Sequence, residues 1–522
     1  MMHNRYRSIA MSLAILGLTV GTAYSSDWPQ WGGDPTKNMA SEEKGIVDHF
    51  KPGETTGDDE TVDMSTTKNV KWVAKLGSQA YGNVTIADGR VYVGTNNESP
   101  RDPKHEGDHG NVYCLDEKTG DFLWQLVVPK LGAGKVSDWE FLGICSSPAV
   151  VGDRVFVVTN RCEVVCMDVH GMANGNDGPF EDEGQYMAGE GNPPIEPGPT
   201  DADILWTFDM RDELGVFPHN ISSSSVLPHE GKLYVTTSNG QDWSHVNIPS
   251  PFAPALICLD QESGELLGEE VSGISERLMH CNWSSPAFAE GVGDDGLVIF
   301  GAGDGFCYGF NPNPVPDPDD PEFHILKEVF RCDCVPQKYK IDEDGNPIKY
   351  PAPEGPSEII ATPVVHDNKI YVAIGQDPEH GSGVGILTCI DATQKGDITK
   401  SGKIWTYDKI NRSISTASIV DGLLFIADYD GFIHCLDAET GEPYWVHDTM
   451  SHIWSSTFVA DGKIYLGNED GILLIMKAAK EKEVLNEIQF DAPIYSTPVV
   501  SNGVLYVATQ THLYALENAD KK

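Results

Sequence analysis

One structural unit recurs along this chain, and that recurrence constrains its fold more than any other feature. Residues 414–447 (ISTASIVDGLLFIADYDGFIHCLDAETGEPYWVH) hold a complete copy. Residues 415–420, 423–427, 432–436 and 442–446 read as four short strands, with Asp421-Gly422 and Asp430-Gly431 as turns. Asp-Gly between β-branched and aromatic runs favours a tight hairpin, because glycine accepts the positive φ that a primed turn demands. Four such strands cannot bury both faces of their own sheet, so the unit needs neighbours.

Those neighbours are present. Counting seven residues back from each first turn aligns Tyr81, Cys145, Ile360, Ile414, Trp454 and Tyr495; a Ser-Ser-Pro run aligns Trp283, and Ser222 or Ser223 fills the remaining unit. A second signature, Cys-Leu-Asp-x-x-Thr-Gly-x-x-x-Trp, stands at 114–124 and 435–445, eroded at 258–268 and stretched between Cys166 and Trp206 and between Cys389 and Trp405. The last unit, from 496, stops after three strands. Its fourth is expected at 69–76, where Trp72 occupies the place of Trp124 and Trp445. The pattern predicts an all-β fold: an eight-bladed β-propeller of four-stranded antiparallel blades over 69–517, its ring closed by an N-terminal strand. Since each blade packs only on its neighbours, 522 residues need no second globular domain.

Residues 1–25 carry Arg5 and Arg7, an apolar run over 9–20 and then small residues, the pattern of a secretory signal peptide. A periplasmic or extracellular location follows, without a lipid anchor, since no cysteine follows the run, and without a transmembrane segment. Residues 26–68 read as an irregular leader anchored by Trp28 and Trp31, and 518–522 as a tail. A net charge of −43, from 36 basic and 79 acidic residues, repels nucleic acid and anionic membranes.

Of the 11 cysteines, Cys114, Cys166, Cys258, Cys307, Cys389 and Cys435 share one third-strand position and read as small buried hydrophobes. Cys145, Cys162, Cys281, Cys332 and Cys334 are expected to include one or two disulfides, their pairing open. The tryptophans 72, 124, 206, 405 and 445 recur at one fourth-strand position and read as wedges between blades.

Insertions lengthen particular hairpins: 96–110, 238–254 and 375–385 between second and third strands, 170–203 in the second unit, and 339–350 in the fourth, read as an extra hairpin. The second-to-third loops and the loops into each first strand emerge on one face, where binding residues should concentrate. His105-Glu-Gly-Asp-His109 matches a zinc-protease string, but Pro103, Gly107 and Gly110 break the helix it needs. Asp342-x-Asp344-Gly345-Asn346 has its glycine too early for a calcium loop and reads as a turn. The Pro and Asp run at 312–321 reads as a solvated loop.

The aligned residues Tyr81, Trp283, Trp454 and Tyr495 should crowd the channel mouth. Around them the start of each innermost strand supplies His219, Asn220, His280, Arg412 and His452. The insertions supply Asn96, Asn97, Asn239, Asp242, Trp243, Gln376, Asp377 and His380. An aromatic floor rimmed by His, Asn, Asp and Arg suits a flat polar ligand, with Asn97, His219, Asp242, Trp243, His280, Trp283, Gln376, Arg412 and Trp454 as its binding residues. The competing reading has the aromatics plug the channel and the polar groups cap loop backbone. No Cys-x-x-Cys-His, phosphate loop, dinucleotide fingerprint or Gly-x-Ser-x-Gly elbow occurs.

The units SSPAVVGDRVFVVT, STASIVDGLLFIADYDGFIHCLDAETGEPYW and STPVVSNGVLYVAT closely resemble the pyrroloquinoline quinone (PQQ) type propeller repeat. The Trp28-Pro29-Gln30-Trp31 leader resembles that of exported bacterial PQQ-like propellers. Two branches share the repeat: quinoprotein alcohol dehydrogenases, which hold PQQ and calcium at the axis, and outer-membrane assembly propellers, which bind partner proteins. For the first branch the resemblance of TTSNGQDW (236–243) implies Asn239 as the calcium ligand and no other residue; Asp242 or Asp377 is the candidate base for an alcohol proton if the chain is such an enzyme. The dehydrogenases' adjacent Cys-Cys pair has no counterpart, Cys332-Asp-Cys334 being no substitute. The expected function is therefore a non-catalytic scaffold that binds a protein partner or small polar ligand at the axial face; the alternative is a PQQ- and calcium-dependent alcohol dehydrogenase.

Overall fold

A computed structural model of the protein describes residues 27–57 and 60–518. The expected signal peptide, residues 1–25, lies outside the described residues. Blade six shows the scaffold without insertions: Ser418–Val420, Leu423–Ala427, Phe432–Asp437 and Pro443–Asp448 pair in sequence as an antiparallel meander. Asp421 and Gly422 adopt φ of 50° and 75°, the pair of left-handed residues a primed turn requires, and Asp461-Gly462 and Asn502-Gly503 repeat it in blades seven and eight. The first strand is shorter than the 415–420 expected. The Thr416 N–H leaves the ladder to donate to Ser456 Oγ of the next blade at 2.8 Å.

Eight such sheets form the ring, and the chain closes it on itself. Val499–Ser501, Val504–Ala508 and His512–Leu516 make three strands of blade eight, and Val70–Lys75 supplies the fourth, with Trp72 opposite Ala515. A belt of hydrogen bonds links the innermost strands: Ser147 N donates to Ser225 Oγ, Ser225 N to Ser285 Oγ, Ser456 N to Thr497 Oγ1 and Thr497 N to Asn83 Oδ1. These hydroxyls are buried, and the belt satisfies amides that the short inner strands leave unpaired.

At the outer edge the repeated tryptophans join blade to blade. Each stands opposite the third-strand small residue, Cys114 with Trp124, Cys166 with Trp206, Cys389 with Trp405 and Cys435 with Trp445, and a β-bulge follows every pair. The indole N–H reaches the following blade: Trp72 to Glu117 O, Trp124 to Val169 O, Trp405 to Ala438 O and Trp445 to Ala479 O, at 2.9 to 3.2 Å. Three of these rings lie on the glycine of the next blade's Asp-x-x-(Thr/Ser)-Gly turn. A Cβ on Gly120 would stand 2.6 Å from Trp72, one on Gly264 2.5 Å from Trp206, and one on Gly441 2.5 Å from Trp405. The Cys-Leu-Asp-x-x-Thr-Gly-x-x-x-Trp signature is thus two halves of one joint, a receiving glycine and a donated indole.

The leader tours the far face. Trp28 bridges Ile86 of blade one, Val150 N donates to Pro29 O, Phe288 N to Pro35 O, Val365 N to Thr36 O, and Ala40–Ser41 pairs in parallel with Phe458–Ala460 of blade seven. Lys37 is fully buried, donating Nζ to Gln30 Oε1 and Trp31 O.

Three expectations are corrected. The run 312–321 is not wholly loop, since Val315–Pro316 pairs with His324–Leu326, which adds in parallel to the outer strand of blade three. The extra hairpin at 339–350 shrinks to one bridge, Ile341 with Pro347, because Asp342 turns its carboxylate back onto the amides of Asp344 and Asn346. All 11 cysteines are free thiols. Cys162 and Cys281 point at separate carbonyls, Thr237 O and Ser238 O, Cys145 stands alone near Leu142 O, and Cys334 donates to Cys332 O two residues back along an extended segment.

Replacing Trp445, 8% exposed, by alanine is expected to destabilise the fold by about 3 to 5 kcal/mol. Gly441→Ala, which meets both the Trp405 ring and a φ of 74°, should cost more than about 1 kcal/mol. Urea midpoints unchanged from the parent would remove the joint from the account.

Candidate functional site

The seven-back positions converge on the axis. Tyr81, Cys145, Ser223, Trp283, Ile360, Ile414, Trp454 and Tyr495, one from each blade, line a cavity of about 420 Å³. Of the two serines open from sequence, Ser223 lines the cavity and Ser222 is buried beside it. Tyr81 stacks on Tyr495 at 5.3 Å between ring centroids, and Trp454 packs on Tyr495 at 4.9 Å, so one wall is a continuous aromatic surface. Trp283 faces it from blade four, its ring held by an Nε1 bond to Ile221 O at 2.9 Å. Trp31 of the leader is a further lining residue, tied by Nε1 to Thr362 Oγ1. Polar side chains interleave with the rings, among them Asn83, Ser285, Thr416 and Thr497; Asn220 Nδ2 donates to Asp377 Oδ2 at 3.0 Å, and exposed Glu379 stands at the rim.

Behind Trp283 lies a second constellation drawn from blades three, four and five. His219 and His280 precede the innermost strands of blades three and four, His245 comes from the 238–254 insertion, and His380 from 375–385. Their rings crowd together: His219 to His280 at 4.3 Å, His245 to His280 at 4.9 Å and His280 to His380 at 5.1 Å. His219 Nδ1 meets Gln241 O at 2.6 Å, which makes it the protonated nitrogen, and Nε2 faces His245 Nε2 at 3.3 Å. Glu358 closes the far side, accepting from Cys281 N at 3.0 Å and Tyr350 Oη at 3.1 Å, with His280 Nδ1 at 3.4 Å. Burial dominates the electrostatics. It pushes His219 and His280 down to about 3 and His380 to about 4, and lifts the Glu358 carboxyl well above the usual carboxylate range. Burial thus favours the neutral forms of His219, His280 and His380 and the protonated form of Glu358.

The remaining residues singled out from sequence take other places. Asn97 is buried in its own loop, donating to His105 O and accepting from Asn111. Asn239 spends its amide on Phe217 N, Ser250 O and Ser275 Oγ. Asp242 caps Ser244 and Asn247 at the loop tip, where Trp243 is 57% exposed. Gln376 Nε2 holds Pro356 O. Arg412 is buried without a carboxylate partner, donating instead to Gly381 O and Ala352 O, so it clasps the insertions of blades four and five. His105 packs near Asp201 while His109 bonds Gly107 O, so the two histidines of the protease-like string diverge.

Three members of the cluster escaped sequence reasoning. Glu358 stands two residues before Ile360 and could have been found by reading carboxylates, as well as His and Arg, just ahead of the aligned positions. His245 and Tyr350 sit in insertions that carry no period.

Fold, repeat and axial cavity together define a PQQ-like β-propeller. The family model described as outer membrane protein assembly factor BamB matches residues 104–177 and 385–482. No curated protein matches the chain by sequence. Among solved structures, BamB from Moraxella catarrhalis superposes with a TM-score of 0.51 at 12% identity, covering 87% of this chain and 98% of that one. Quinohemoprotein alcohol dehydrogenase from Comamonas testosteroni gives 0.47 at 12% (95% and 81% covered), and a europium-containing methanol dehydrogenase 0.45 at 13% (93% and 89%). At these identities the likeness speaks to fold alone. Among the described residues no helix is long and apolar enough to cross a membrane.

The cluster sets a pH dependence. His219 and His280 resist protonation when folded, whereas the unfolded chain binds those protons near pH 6.5, so their contribution to stability is full above about 6.5 and is lost as pH falls toward 3. Glu358 acts oppositely: it keeps its proton when folded, and stability declines as pH rises above about 4.5. His219→Gln should therefore flatten the acid limb by up to about 1.4 kcal/mol per pH unit relative to the parent, read from urea unfolding between pH 3 and 7. Parallel curves for the two proteins would contradict this.

Proposed function

We propose that the protein is an exported, non-catalytic binding propeller that takes a small, flat, polar ligand into its axial cavity from the insertion-bearing face. The observation that carries this reading is the continuous aromatic wall of Tyr81, Trp454 and Tyr495 opposite Trp283, around about 420 Å³, with Asn220 and Asp377 as the polar anchors. Export to the periplasm or beyond rests on residues 1–25.

Calcium fits this site poorly. The Asn239 amide oxygen accepts from Phe217 N and its nitrogen donates to Ser250 O and Ser275 Oγ, and Asp242 caps a loop tip, so the oxygen cage that calcium requires is not assembled around Asn239. Asp377 alone of the expected acid and metal residues faces the cavity. No step of alcohol oxidation is routed through these residues.

A protein partner has a separate observation in its favour. Trp243, Val246 and Phe252, 57%, 76% and 88% exposed, crown the 238–254 insertion on the same face. The fold shared with BamB, whose family model is described as an outer membrane protein assembly factor, is compatible with that use.

Titration with PQQ as a flat polar probe, followed by tryptophan fluorescence, tests the ligand reading. Saturable quenching is expected in the parent, at least about tenfold weaker in Trp454→Leu, equivalent to about 1.4 kcal/mol. The probe should leave on desalting, with no alcohol-dependent dye reduction in the presence of calcium. Absence of saturable quenching would remove the cavity as a ligand site. Stoichiometric quinone surviving desalting, with dye reduced by simple alcohols, would install the dehydrogenase reading in its place.

A further inference from the structure

We infer that His219, His245 and His280 form a binding site for one divalent transition-metal ion of the kind that prefers imidazole, zinc or copper(II). The site lies behind Trp283 and does not depend on what enters the axial cavity.

The geometry supplies the first argument. One ring nitrogen from each of the three histidines lies within 4.8 Å of the others. His219 Nε2 and His245 Nε2 are 3.3 Å apart, which is about the edge of a ligand tetrahedron built on metal–nitrogen bonds of roughly 2.05 Å. His219 is already set for ligation: its Nδ1 donates to Gln241 O at 2.6 Å, so the tautomer is fixed and the Nε2 lone pair faces the cluster. Metal-bound histidines are held in this manner, by a carbonyl or carboxylate on the nitrogen that does not bind. On His280 the nearest such oxygen, Glu358 Oε1, stands 3.4 Å from Nδ1 without a hydrogen bond.

The second argument is independent of spacing. His280 is 0% exposed, yet neither ring nitrogen has a hydrogen-bond partner. A buried polar group left unpaired is destabilising, and protein interiors rarely tolerate one without a ligand or water to satisfy it. Nitrogen donors without an oxygen cage select against calcium and magnesium and toward zinc or copper. His380, whose ring lies 5.1 Å from His280 and whose Nδ1 meets Tyr350 Oη at 3.2 Å, is the nearest further imidazole.

The competing account of the 3.3 Å contact is a hydrogen bond from His245 Nε2 to His219 Nε2 with no metal. Chelator-stripped full-length protein, dialysed against limiting zinc in excess calcium, separates the two. One equivalent of zinc is expected to remain, and cobalt(II) substitution should give the intense visible bands of a tetrahedral nitrogen site. His245→Asn is the diagnostic variant, since His245 is half-buried on a loop with φ of 53°, a conformation asparagine accepts. It should weaken zinc binding at least about tenfold and lose the cobalt bands. His109→Asn, outside the cluster, and Trp454→Leu, in the cavity wall, should bind zinc as the parent does, so failure of the cavity reading leaves this result standing. Zinc displaced by calcium, no equivalent retained, or equal retention by His245→Asn would overturn the site.

Discussion

An indole from one blade laid on a glycine of the next is the contact on which the rest of this structure depends. A propeller blade has no hydrophobic core of its own, and its stability is borrowed across the joints it makes with two neighbours. Each docked tryptophan buries roughly 200 Å² of mostly apolar surface, and the N–H of Trp72, Trp124, Trp405 and Trp445 finds a backbone carbonyl, so these joints are both hydrophobic and directional. The glycines at 120, 264 and 441 serve by lacking a side chain where a Cβ would overlap the ring. Trp72 extends the same joint across the ends of the chain, since it sits in the strand Val70–Lys75 yet docks on Gly120 of blade one.

Closure in turn fixes the axis. Because every blade starts its innermost strand at the same height, the equivalent residue of each blade reaches the channel, and eight unrelated side chains join the lining of a single cavity. The hydroxyl belt just beneath them holds that height by inter-blade hydrogen bonds. Departures from the repeat then do the chemistry. Blades three, four and five carry insertions or long approaches that bring four histidines, Tyr350 and Glu358 together, whereas regular blade six contributes Ile414 and Thr416 to the lining and the clasp of Arg412.

What was legible in the sequence follows the same division. The eight units, the closing strand, the tryptophan joints and the cavity lining all obey a period, and counting from a turn found them. Asn97, Asn239 and Gln376 show where counting stops being informative: an amide in a loop can face a ligand or hold backbone, and these three hold backbone. His245 and Tyr350 lie in aperiodic loops whose path is set by tertiary packing, so nothing local announces that they meet His219 and His280. The cysteines misled for a related reason. Their number behind an export-type leader suggested bridges, but the repeat had already assigned most of them to buried third-strand positions, and Cys162 and Cys281 face separate carbonyls while Cys145 lines the cavity.

Hydrogen exchange of the strand Val70–Lys75 tests the closure of the ring most directly. Its amides bonded to His512–Leu516 should exchange only through global unfolding, with protection within about tenfold of that in Val504–Ala508. Exchange of Val70–Lys75 by a local opening, orders of magnitude faster than the neighbouring strands, would contradict the account, because a ring that opens at that strand cannot hold the axial cavity it is said to build.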